Sequence, residues 1–282
     1  MPEYDRIEIR SSKTNNGIQG AEPIAVWHKH DEGQMGRHIW APELHRIKGK
    51  WYIYFAAGSA EDKWKIRMYA LSNPSDDPTV GEWKEEGQIV SNKDHFSLDA
   101  TTFELDGQRY MIWTDRGPNE VVNTSLYIAE MTSPTTLADK QVVISQPEYD
   151  WEIQGHRVNE GPAVLVRNGK VFVAFSASAT DANYSIGLLW TGQDSDLLDP
   201  DSWHKLPDPV FFTNREFNRY GPGHNSFTVA EDGKTDVMIY HARDYEGIDG
   251  EPLYDPNRHT HARILEWQED GMPFFGQNLD DH

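Results

Sequence analysis

The sequence predicts an all-β fold, a five-bladed β-propeller whose first blade lacks its innermost strand, and three observations predict it. The first is a repeated phrase: an alternating strand, a Gly turn, and an aromatic-rich strand that returns. It reads DATTFELDGQRYMIWTD from Asp99 to Asp115, and recurs as APELHRIKGKWYIYFAA from Ala41, EGPAVLVRNGKVFVAFSAS from Glu160 and HNSFTVAEDGKTDVMIYHAR from His224. The second is the period. The turn glycines Gly49, Gly107, Gly169 and Gly233 recur about every sixty residues, room for one four-stranded antiparallel sheet per repeat, and radial repeats of that length are most often propellers. The third is a further β-rich segment after each hairpin, at a matching offset from its glycine for residues 65–74, 125–134 and 185–194, and after a longer insertion for 260–267.

The chain opens on DRIEIRSSKT at 5–14, a short strand of the same third-strand type. The hairpin belonging to it falls ahead of Met1 by the same spacing, so the chain is expected to begin within a blade. Four complete repeats and one headless repeat make five blades in a single domain over residues 1–282. Links such as NPSDDPTVGEW, SPTTLADK and DSDLLDPDSW carry the Pro, Asp and Gly of loops, and no helix beyond a turn or two is required.

Composition narrows the function. Acidic residues outnumber basic ones 46 to 26, and the net charge of −20 repels phosphate backbones, which argues against nucleic acid and anionic membranes as partners. No apolar run reaches the length of a membrane span. MPEYDRIEIR lacks the basic and apolar regions of a signal peptide, which leaves cytoplasmic and secreted locations both open. With no cysteine, thiolate chemistry is excluded. Ten Trp and 12 Tyr include flat faces suited to sugar rings, although most of them are expected to fill the core.

The chemistry is expected at the head of each hairpin. Ala41, Asp99, Glu160 and His224 stand there, with Trp40 beside the first, and repeat arithmetic points them into one cavity. A lone carboxylate at a strand start is usually a cap. Two carboxylates in equivalent positions, with His and Trp in the others, suggest glycoside cleavage, in which one carboxyl protonates the leaving oxygen and a second supports the transition state or activates water. Glu160 lies among the apolar residues of VNEGPAV, which disfavour its charged form, and Asp99 has hydroxyls nearby that favour the ionised state. Glu160 is therefore read as the acid. Trp113 and Phe96 border the Asp99 hairpin and are candidates for the sugar site, with core packing as the competing reading.

Six motifs in order, IWAPELH at 39–45, SLDATTF at 97–103, WTD at 113–115, NEGP at 159–162, GHNSF at 223–227 and YHARDY at 240–245, resemble glycoside hydrolase family 43, most closely its exo-acting α-L-arabinofuranosidases. The resemblance implies a five-bladed propeller and an inverting mechanism. It implies that Glu160 is the general acid, that Asp99 tunes the acid's pKa and orients it, that Trp40 is an apolar wall, and that Arg243 reaches the carboxylates and substrate. It implies no required cofactor, with His224 on the axis where a structural calcium ion or a water cluster can sit. The implied substrate is an arabino-oligosaccharide or a fragment derived from arabinoxylan, and the oligomeric state is left open.

One departure stands out. The family's general base is an Asp-Pro aspartate on the innermost strand of the first blade. The Asp-Pro pairs here, at Asp77, Asp199, Asp208 and Asp255, all lie in predicted links, so the base is expected to be absent from this chain. The alternatives are a β-xylosidase of the same family and a carbohydrate-binding propeller without turnover. His28, His30 and His38 read as a solvated loop rather than a metal cluster, Asp181 to Tyr184 as a turn, and NLDDH at 278–282 as a frayed tail.

Overall fold

The computed structural model describes residues 5–119 and 121–281; Met1 to Tyr4, Glu120 and His282, and what was expected of them, lie outside it. The described chain is all β with short 3₁₀ turns, and it divides into two compact units. One runs up to Asp115 and takes in Ala129–Gln141; the other holds Arg116–Ile128 and everything from Val142 on.

The first unit begins with a two-stranded antiparallel sheet of β1 (Arg6–Ile9) and β2 (Ile24–His28). A four-stranded sheet follows, β3 (Arg37–Ile47), β4 (Lys50–Gly58), β5 (Arg67–Asn73) and β6 (Lys84–Ile89), in sequential order. The next is β7 (Ser97–Leu105), β8 (Gln108–Arg116), β9 (Thr124–Ser133) and β10 (Thr136–Ser145), most of it in this unit. Its core gathers Ile7, Trp27, Ile39, Phe55, Tyr69 and Trp83.

The second unit holds the sheet of β11 (Asn159–Arg167), β12 (Lys170–Ala177), β13 (Ser185–Gly192) and β14 (His204–Lys205). It also holds the three-stranded sheet of β15 (Tyr220–Val229), β16 (Asp236–Arg243) and β17 (His259–Ile264), and the short pair β18 (Glu266–Trp267) and β19 (Pro273–Phe274). Phe172, Phe211, Tyr240 and Phe275 anchor its core. The Arg219 guanidinium lies 4.0 Å from the centroid of the Phe211 ring, so its charge is buried against an aromatic face.

All four expected hairpins form. Three of them close on Lys48-Gly49, Asp106-Gly107 and Asn168-Gly169, each a pair of residues with positive φ. Two central residues of that handedness match the right-handed twist of the flanking strands, which is why a Gly stands second in each. The propeller-type repeat of antiparallel sheets is present, but with four blades of three or four strands among the described residues, not five. The difference arises at the chain's start. DRIEIR is expected as the third strand of a blade, whereas among the described residues β1 pairs with β2 across a link of fourteen residues, too long for the hairpin signal that marks the other pairs. SPTTLADK is also corrected: Thr136 onward is strand, not link.

Candidate active site

At the head of each innermost strand the ladder slips by one register, between Trp40 and Glu43, Leu98 and Thr101, Glu160 and Ala163, and Gly223 and Ser226. Each slip contains a residue with positive φ: Ala41 at 46°, Asp99 at 54°, Gly161 at 57° and His224 at 43°. A bulge of this kind leaves its extra residue out of the ladder and re-aims the side chain. The repeat position of Asp99 is therefore shared by Gly161, not by Glu160, which occupies the place of Trp40 one residue earlier.

In the first unit Asp99 is buried and accepts a 3.3 Å hydrogen bond from Thr114 Oγ1 across the β7–β8 pair. A second buried carboxylate, Asp115, stands on β8 opposite Ser97 and accepts from Trp113 Nε1 at 2.8 Å. Trp113 is 0% exposed, so it shapes Asp115 from behind and presents no face to solvent. That places it with the core, the competing reading of the sequence. Trp40 and Phe96 pack together against Ala56, Ile66 and Leu98. The Trp40 ring stacks on His38 with centroids 4.2 Å apart, and Trp64 stands edge-on to it at 6.2 Å. Trp64 is 49% exposed and was missed, since a lone Trp in EDKWKIR carries no repeat signal. His38 is buried on β3, not in a solvated loop; His30 sits 2.8 Å from Glu85, and among the described residues no three His, Asp or Glu side chains converge as a metal site requires.

In the second unit Glu160 opens β11, and its Oε1 accepts 2.7 Å from the hydroxyl of Tyr184. Next to it, the missing side chain of Gly161 admits the His224 ring, whose atoms would lie 3.1–3.3 Å from a Cβ there. The His224 amide donates to Ser176 Oγ at 2.7 Å, which ties the head of β15 to β12. Burial, with the positive charges of Arg258 and Arg243, pushes the pKa of neighbouring His241 well down. Arg243 is 1% exposed and donates to Asp255 Oδ1 at 3.1 Å and to the carbonyls of Thr180 and Pro252.

Behind Glu160 a buried polar network fixes the strand's start. Asn159 Nδ2 donates to Glu152 Oε1 at 3.0 Å, and Lys205 Nζ stands 2.5 Å from the same oxygen. Ser145 donates to Asn159 Oδ1 at 2.6 Å. Three of the four Asp-Pro aspartates have local tasks. Asp77 accepts from both Thr79 donors, Asp199 caps a 3₁₀ turn, and Asp255 binds Arg243 and Tyr245. Asp181 makes the expected turn by accepting from the Asn183 amide, and Asp281 docks against Tyr240 and Arg263 where fraying was expected.

Three histidines are expected to make the fold less stable in acid. Burial, aided by cationic neighbours, lowers the pKa of His241, His38 and His261 below 6.5. In the unfolded chain all three take up protons near the ordinary value, so below it the unfolded state binds more protons and stability falls as pH falls. Each costs at most about 1.4 kcal/mol per pH unit in that window. The urea midpoint is expected to be lower at pH 5 than at pH 7; equal midpoints would contradict this account.

The model of the glycosyl hydrolases family 43 matches residues 1–273. The chain is 52% identical over 276 residues to the extracellular exo-alpha-(1->5)-L-arabinofuranosidase of Streptomyces avermitilis, covering 98% of this chain and 57% of that protein. It is 47% identical to alpha-L-arabinofuranosidase 43 of Humicola insolens, covering 98% of this chain and again 57% of the relative. The chain thus spans little more than half the length of these relatives. The crystal structure of an alpha-L-arabinofuranosidase from Lactobacillus brevis superposes with a TM-score of 0.96 at 49% identity, over 100% of this chain and 90% of that one.

Proposed function

Because the chain belongs to the glycosyl hydrolases of family 43, we propose that it releases terminal α-L-arabinofuranosyl residues from arabinan or arabino-oligosaccharides, with inversion at the anomeric carbon. The observation that carries this reading is the identity of about half, across nearly the whole chain, with proteins named as α-L-arabinofuranosidases. In it Glu160 gives its proton to the leaving glycosidic oxygen as the C–O bond breaks. Asp99 tunes and orients that acid, and Trp40 with Phe96 forms an apolar wall for the furanose ring. Trp113 and Arg243, both enclosed, act through Asp115 and Asp255. We place the work outside the cell, following the relative named as extracellular, on arabino-oligosaccharide or arabinoxylan-derived substrate; among the described residues no helix is long and apolar enough to cross a membrane.

Inversion needs a base to deprotonate the attacking water from the far face of the ring. The local tasks of Asp77, Asp199 and Asp255 favour one second reading, a carbohydrate-binding protein without turnover. A nitrophenyl α-L-arabinofuranoside separates the two, assayed with and without excess azide as a substitute nucleophile. Release of nitrophenol, with β-arabinofuranosyl azide formed when azide is present, is the expected result. No release in either assay, with tryptophan fluorescence still quenched by arabino-oligosaccharides, would leave the binding protein.

A further inference from the structure

Tyr184 has no role in the reading so far, yet three contacts hold it in one pose. Its hydroxyl donates to Glu160 Oε1 at 2.7 Å. Its ring lies flat on that of His241, with centroids 5.7 Å apart and planes 4° from parallel. On the β15 side it runs against Gly223, where a Cβ would fall 2.1 Å from Tyr184 Cε1 and 2.3 Å from Cδ1. Gly223 has no positive φ to explain a glycine; the tyrosine ring explains it. The approach is fixed as well, because the Tyr184 amide donates to the Asp181 carbonyl at 3.2 Å in the turn that precedes β13. At 1% exposure the residue is enclosed.

We propose that Tyr184 is a positioning residue for the acid step, holding Oε1 of Glu160 by a donated hydrogen bond so that Oε2 carries the proton to be transferred. The inference rests on the acid role proposed for Glu160. In the step, the proton leaves Oε2 for the glycosidic oxygen, the electron pair of the breaking C–O bond stays on that oxygen, and the nucleophile bonds to the anomeric carbon. Glu160 becomes a carboxylate, and the bond from Tyr184 strengthens as that charge develops, since a hydrogen bond to an ionised acceptor is roughly twice as strong as a neutral one. The interaction is thus stronger in the transition state than in the ground state, which is the condition for raising kcat. It matters most where the leaving group needs its proton.

Tyr184→Phe removes the hydroxyl and keeps the ring, its stack on His241 and its contact with Gly223. The full chain and this variant are compared on unactivated arabinobiose and on a nitrophenyl arabinofuranoside, with azide in excess throughout. The expected result is a kcat on arabinobiose about ten- to hundredfold lower with KM little changed, and a rate on the nitrophenyl substrate within about twofold of the parent. Gly223→Ala, which keeps the hydroxyl and displaces the ring, is expected to show the same selective loss. Equal losses on both substrates, or no loss on either, overturn the proposal while the glycosidase reading stands. A parent chain inert on both overturns that reading and the proposal with it.

Discussion

Glu160→Gln is expected to lower kcat on arabinobiose by about 10²- to 10⁴-fold, the usual share of a positioned general acid. Glutamine keeps the shape and can still accept the Tyr184 hydroxyl through its carbonyl oxygen, but it has no proton to give. The loss must therefore depend on the leaving group. A nitrophenolate departs without help, so turnover of the activated substrate should survive with excess azide present. A variant that retains ordinary turnover of arabinobiose would remove Glu160 from the acid role. If Asp99 has the tuning role proposed for it, Asp99→Asn should lower the rate by a different route, since it removes a negative charge and leaves Glu160 able to donate its proton.

Lys205→Met is expected to cost about 3–5 kcal/mol of stability, because it leaves the Glu152 carboxylate buried without a counter-charge. Glu152 is 0% exposed, and its other oxygen already accepts from the amides of Glu148 and Tyr149. Burial pushes the Lys205 pKa down even against the pull of Glu152, a sign that the ammonium is poorly solvated. It lies instead 5.2 Å and 5.3 Å from the ring centroids of Tyr149 and Phe175. The thermal midpoint should fall by about 10 °C. Pairing the change with Glu152→Gln, which removes the stranded charge, should recover a large part of the loss. Because Asn159 bonds to Glu152 and directly precedes Glu160, the single variant should also lose kcat at temperatures where it remains folded. A midpoint within a degree of the parent would show that the pair is replaceable.

The four hairpins were legible because each carries its own local signal, an alternating strand that turns back at a glycine of positive φ. That Asp99 and Glu160 stand at the heads of two of those hairpins was legible from the same motifs. Their register was not: counting back from the turn glycines put Glu160 level with Asp99, when the bulge takes Gly161. A bulge shows itself only in the partner strand's pairing. Tyr184 and Lys205 were out of reach for a related reason. Tyr184 meets Glu160 from the loop before β13, and Lys205 meets Glu152 from a two-residue strand, and neither pairing leaves a trace in spacing or composition. The count of blades failed on β1, since its segment looks the same whether it joins a blade or pairs with one short neighbour.

The left-handed kinks at the hairpin heads also limit how this protein can be rewritten. Most residue types lose roughly 1–2 kcal/mol in that conformation, with aspartate, asparagine and glycine the tolerant ones. At Asp99, then, conformation and chemistry draw on the same short alphabet: the carboxylate suited to the reaction belongs to one of the few side chains the kink accepts. Exchanging it for valine would conflate a bent backbone with a lost charge. Asparagine alters the charge alone, and the difference between the two variants measures how far the backbone itself selects the residue.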